Sequence, residues 1–232
     1  MFPTTQPMDA ADSRPVDPPP TALTSLSPSL MQDLLRFDAL AGPQRELLEV
    51  LAACVRHTQP LAITLGAPGR SLLVVSVFPL DRQVHCPVPL ADLLAGELAA
   101  LRVIEVMPAR WRAPGSTDAQ RIDRPECYTP LGPLLWAVAL RGARDSLLPE
   151  LAGQAAYRVS PGMTLGGLDV PGALIPAITR LRRQTSNLRE ITGWPGMGAE
   201  RAMRLLNALY LQSGLIVSRT HPAATNEGWS GY

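Results

Sequence analysis

Residues 187–217 read NLREITGWPGMGAERAMRLLNALYLQSGLIV. Asn187 with Glu190 three residues later is a capping-box arrangement, so a short helix is expected over 187–194. Pro195-Gly196-Met197-Gly198 then makes a tight turn. From 199 to 214 the residues Ala202, Leu205, Leu206 and Leu209 recur on one face of a helix, and Gly214 is placed to end it. Leu215–Arg219 suits a strand. Upstream, GALIPAITRLRRQTS (172–186) predicts another helix, with Leu174, Ile178 and Leu181 inward and Pro176 tolerated in its first turn. Three helices and a strand therefore make a small C-terminal domain over 169–221, followed by a flexible tail at 222–232.

Within this domain LLNALYLQSGLIV (205–217) resembles the third helix and first wing strand of the winged-helix-like modules of bacterial regulatory proteins. The resemblance covers residues 172–220 only. It implies a module that serves DNA binding, protein docking or dimerisation. A second resemblance competes with it. Pro195-Gly196-Met197-Gly198, with Ala202 and Leu205, is similar to the helix–hairpin–helix signature, which implies hairpin amides that hold DNA phosphates. In that signature proline, lysine or arginine follows the second glycine. Here Ala199 and Glu200 stand there, and a carboxylate would repel the phosphate. The run into Gly214-Leu215-Ile216-Val217 also fits a wing better, so the winged-helix-like resemblance is preferred.

Charge points to the same region. Residues 175–221 carry seven arginines against Glu190 and Glu200. The outward face of 199–213 is expected to present Glu200, Arg201, Arg204, Asn207 and Gln212. Arginine and asparagine read guanine and adenine edges, and arginine holds phosphate in a two-pronged grip. The candidate partner- or DNA-binding set is therefore Arg180, Arg182, Arg183, Arg189, Arg201, Arg204 and Asn207. The plainer account makes these the solvated sides of amphipathic helices. Trp194 beside the turn could stack on a base, but packing of the turn is the expectation.

Working outward, residues 29–168 predict a central α+β domain in which helices cover an antiparallel sheet. Ser27-Pro28 starts a helix carrying Leu30, Leu34 and Phe37, which Gly42-Pro43 ends. A second helix, 44–57, turns Leu47, Leu51, Cys54 and Val55 one way and Arg45, Glu46, Glu49 and Arg56 the other. LAITL (61–65) and SLLVVSVF (71–78) flank a Gly66–Gly69 hairpin turn, and 83–86 is a short strand. Residues 91–101 read as helix, and RVIEVM (102–107) alternates as a half-buried strand does. The polar stretch 108–128 is expected to be a mobile loop. Beyond it come an apolar helix at 131–140 with Trp136 in the core, a shorter helix at 145–151, and a strand at 156–160. SPGMTLGGL (160–168) links the two domains. Residues 1–28 hold seven prolines and too few apolar residues to bury, so a disordered arm is expected.

Composition sets the outer bounds. All 21 basic residues among the 232 are arginine, a pattern that a GC-rich coding sequence would produce. The absence of lysine excludes a Schiff-base lysine and a Walker-A phosphate loop. A net charge of +1 argues against nucleic acid coating the whole surface but permits a local basic patch. No basic region precedes an apolar run at the N-terminus, and no stretch is long and apolar enough to span a membrane.

Cys54, Cys86 and Cys127 read as reduced intracellular thiols. Cys54-x-x-His57, His85-Cys86 and Cys127 raise the question of zinc, yet adjacent strand residues point to opposite faces and cannot share an ion. No metal or other cofactor is expected. Cys86 with His57 or His221 could be a nucleophilic pair but has no flanking signature. The sequence therefore predicts a non-enzymatic, cytoplasmic regulatory or adaptor protein of bacterial type. Its partner would be a protein, with DNA as the alternative and a homodimer through a sheet edge as a further expectation.

Overall fold

Residues 26–41 and 46–224 are described by a computed structural model. The expected arm up to residue 25, the helix stop at Gly42-Pro43, Arg45 and the tail from 225 lie outside the described residues, as does the side chain of Phe37. The protein is α+β, with seven helices and a five-stranded antiparallel sheet among the described residues.

Helix α1 (Pro28–Ala41) begins where Ser27 Oγ accepts the Leu30 amide at 3.4 Å, and Leu30 and Leu34 are buried. Helix α2 (Leu47–His57) buries Leu47, Leu51 and Cys54 as its periodicity requires. Glu46 and Glu49, expected in solvent, instead receive Arg144 Nη1 at 2.7 and 2.6 Å. Removal from water raises the Glu46 carboxyl above its usual range, and Arg144 opposes that rise.

The sheet runs β4-β1-β2-β3-β5, from β1 (Leu61–Gly66), β2 (Leu73–Phe78), β3 (Gln83–His85), β4 (Arg102–Pro108) and β5 (Tyr128–Pro130). Its inner face presents Leu61, Ile63, Val75, Val77, Val84 and Val106, all buried in one core with α2 and with α4 (Leu131–Arg141). Each such side chain contributes roughly 1.5–3 kcal/mol by leaving water. On the outer face Ala62, Ser76, His85 and Tyr128 form one row across four strands.

The segment 109–127, expected to be a mobile loop, lies over that row. Tyr128 Oη donates to the Arg112 carbonyl and accepts the Asp123 amide, both at 2.9 Å. Phe78, Ala109 and Ala113 form a second small cluster beneath it. Two expected helices also differ. Residues 91–101 split into α3 (Leu90–Ala95) and a 3₁₀ turn because Gly96 is extended. Residues 145–151 are turns that bury Leu148 and Leu151 without a helix.

A three-stranded sheet, β7-β6-β8, carries the C-terminal elements: β6 (Ala156–Val159), β7 (Ser186–Asn187) and β8 (Leu215–Ser218). Around it stand α5 (Ile175–Arg183), α6 (Leu188–Thr192) and α7 (Ala199–Leu211). Asn187 caps α6 as its spacing predicts, accepting the Glu190 amide at 2.8 Å. Ser213, not Gly214, takes the left-handed conformation after α7. Gly214 is needed for a different reason: a Cβ there would stand 2.1 Å from Met163 Sδ. Ala223 and Ala224, expected to belong to the flexible tail, are fastened: Gln154 and Asn187 donate to the carbonyls of Ala224 and Ala223. One core runs from Leu26 to Leu211, with α4 between the large sheet and α7.

Candidate functional site

Helix α7 was expected to offer its polar side to a partner. Its apolar stripe does face inward, with Ala202, Leu205, Leu206 and Leu209 fully buried. Part of the polar stripe, however, is also covered, where α4 packs antiparallel on it. Arg204 Nη1 donates to the carbonyl of Gly142 at 2.9 Å and, more weakly, to that of Leu140 at 3.4 Å; its Nε meets Glu200 at 2.7 Å. Those carbonyls belong to the C-terminal end of α4, where arginine is favoured by both hydrogen bonding and the helix dipole.

Asn207 corrects the expectation most sharply. It is completely buried: its amide donates to the Ser146 carbonyl and its oxygen accepts the Leu148 amide, each at 2.9 Å. A side chain so held cannot read a base edge. Gln212 is likewise engaged, donating to the Gly132 carbonyl at 2.8 Å. Of the expected outward face, Glu200 and Arg201 are exposed, and Arg201 bonds the Gly196 carbonyl.

The other four arginines, Arg180, Arg182, Arg183 and Arg189, are exposed on α5 and α6. Arg180 lies over the Trp194 ring, 4.6 Å from its centre, and Arg182 donates to the Met163 carbonyl at 3.0 Å. Trp194 is buried at 8% exposure, so its ring packs the turn and is not presented for stacking.

A groove of about 1260 Å³ opens where α3 and α4 meet the 194–201 turn. Ala95, Trp136, Ala137 and Leu140 line it, and Arg141 and Arg201 stand among its polar residues. Arg141 donates to the Leu94 carbonyl at 2.7 Å. Arg141 and Arg201 thus bond neutral carbonyls, whereas Arg204 is paired with Glu200; Asp169 and Glu200 also line the groove. No spacing in the sequence signals this groove, since its walls come from separate elements.

The cysteines and histidines are placed differently from any pair weighed in the sequence. Cys54 is fully buried, donates to the Gln59 carbonyl at 3.2 Å, and is pushed up by burial to about 12. His57 is held by Asp33 at 2.8 Å, and His221 accepts the Ala223 amide at 3.0 Å. Among the described residues no hydrogen bond joins Cys86 to either histidine, and burial raises the Cys86 thiol as well. His85 instead meets Asp123, Nε2 to Oδ2, at 2.8 Å, with Cys127 close by. That hydrogen bond from His85 holds the Asp123 carboxyl below its usual range.

Among the described residues no helix is long and apolar enough to cross a membrane. No protein-family model, curated protein or solved structure matches the chain.

Proposed function

We propose that the chain is a non-enzymatic, cytoplasmic regulatory or adaptor protein. In this reading the winged-helix-like C-terminal module docks a partner protein and does not read bases. The order helix, strand, helix, helix, strand over 175–218, with a small sheet beneath it, supports the winged-helix-like comparison. The middle strand is β6, supplied from before the first helix. Three buried, unpaired thiols support a reducing compartment.

The observation that carries the reading is the covering of α7. In a winged-helix DNA reader the corresponding helix enters the major groove, which needs a free polar face. Here Arg204, Asn207 and Gln212 bond the protein's own backbone. The surface left for a partner is the groove beside α4. Its volume exceeds the roughly 300–1,000 Å³ usual for small-molecule pockets, and its apolar walls suit a peptide segment. Arg141 and Arg201 fit a carboxylate on that segment.

The test places a photo-crosslinking side chain at Ala95 and repeats the reaction with Arg141→Glu and Arg201→Glu. One dominant protein adduct is expected after nuclease treatment, and charge reversal should abolish it. Alongside, duplex DNA is titrated at several salt concentrations and should show no saturable binding. A saturable duplex complex lost in Arg180→Ala with Arg183→Ala would replace this reading by the nucleic-acid one. Self-association belongs to the same proposal: β4 is a sheet edge, and Ile104 on it is 59% exposed. Sedimentation should then give a dimer that Ile104→Lys dissolves, and a monomeric parent protein removes that part.

A further inference from the structure

We propose that His85, Asp123 and Cys127 form a zinc site that fastens the 109–127 segment to the outer face of the five-stranded sheet. The three come from separate places: the end of β3, the covering segment, and the turn before β5. One donor atom from each lies within 4.8 Å of the other two. Tetrahedral zinc, with bonds of about 2.0–2.3 Å, sets its donors roughly 3.3–3.8 Å apart. Binding therefore needs a contraction of about 1.5 Å at most, and an opening of the 2.8 Å His85–Asp123 contact by about 0.5–1 Å as its shared proton leaves.

The His85 side chain is 4% exposed, yet its Nδ1 has no hydrogen-bond partner. Nδ1 stands across the ring from the Nε2–Asp123 contact, so zinc at Nε2 requires a water, not the ion, as the partner of Nδ1. The Trp111 and Tyr128 rings flank the imidazole, their centres 5.6 and 5.1 Å from its own.

Donor chemistry selects the ion. A thiolate, an imidazole and a carboxylate suit zinc, whereas magnesium and calcium take oxygen donors. Arg124 Nη2 lies 3.9 Å from Cys127 Sγ, where its charge opposes a cation. Glu126, 3.6 Å from Arg124, offsets that effect. Three protein ligands leave a fourth position for water.

The site is tested on the full chain after chelator treatment, using Co²⁺ as a coloured probe and Zn²⁺ to displace it. One equivalent of Co²⁺ should give a thiolate-to-cobalt charge-transfer band and the visible bands of a four-coordinate ion. Cys127→Ser should abolish the charge-transfer band, Cys86→Ser should keep it, and Asp123→Asn should weaken binding at least roughly tenfold. Because the parent protein alone carries the first measurement, a misfolded variant does not decide the outcome. Absence of the charge-transfer band, a stoichiometry well below one, or a band that follows Cys86 overturns the proposal.

Discussion

Helices α5 and α7 are both amphipathic, both bury a clean apolar stripe, and both carry arginine on the opposite side. Their polar sides nevertheless meet different surroundings. α5 packs on β6 with one face and leaves Arg180, Arg182 and Arg183 exposed. α7 lies between the C-terminal elements and α4, so its second face meets backbone carbonyls. Periodicity reports where apolar contact is made. It is silent about polar contact made by hydrogen bonds to another element's backbone, and arginine or asparagine there looks the same as on a free surface.

The largest effect that can break this contrast belongs to Asn207. Asn207→Ala removes two hydrogen bonds inside the fold and strands the Ser146 carbonyl and the Leu148 amide. Their combined loss should cost about 3 kcal/mol, read as a lowered urea midpoint at unchanged slope. A loss under about 1 kcal/mol would mean that α7 is not clamped and would restore its polar face as a candidate surface.

Arg204 should come next. Arg204→Ala releases the C-terminal carbonyls of α4 and should cost about 1–2 kcal/mol. Glu200 is 65% exposed, so Glu200→Ala should cost about 0.5 kcal/mol or less. A double-mutant cycle separates the two contributions. Coupling as large as the whole Arg204 effect would assign the stability to the ion pair and not to the α4 carbonyls.

Much of this was legible beforehand, and the exceptions share a cause. Asn187 with Glu190 and the apolar stripes of α5 and α7 are local patterns, and each appears as expected. The alternation expected of β4 is instead broken by a bulge at Ile104 that buries both Val103 and Val106 and leaves Ile104 and Glu105 exposed. β5 was missed because its Tyr128-Thr129-Pro130 run is only three residues long, too short for alternation to show. The His85–Asp123 contact spans 38 residues and joins a strand end to a stretch with no periodicity. Arg144, lodged between Glu46 and Glu49, is the same case at longer range. Long-range polar pairing leaves no period, so the charges expected to face solvent are the ones the fold reassigned.

Two smaller effects sharpen the contrast from the α5 side. Arg180→Ala removes a cation–π contact at an exposed position and should cost about 0.5–1 kcal/mol, with a change in Trp194 fluorescence. Arg183 is exposed and, among the described residues, makes no hydrogen bond or ion pair. Arg183→Ala should therefore leave stability within about 0.5 kcal/mol of the parent. That near-zero is the informative end of the series. If Arg183 is silent in unfolding while Asn207 is costly, Arg183 is held by nothing among the described residues, and whatever retains it must come from outside. A clear stability loss at Arg183 would erase the difference between the two helices and leave Arg141 and Arg201 as the exposed arginines with a place beside the groove.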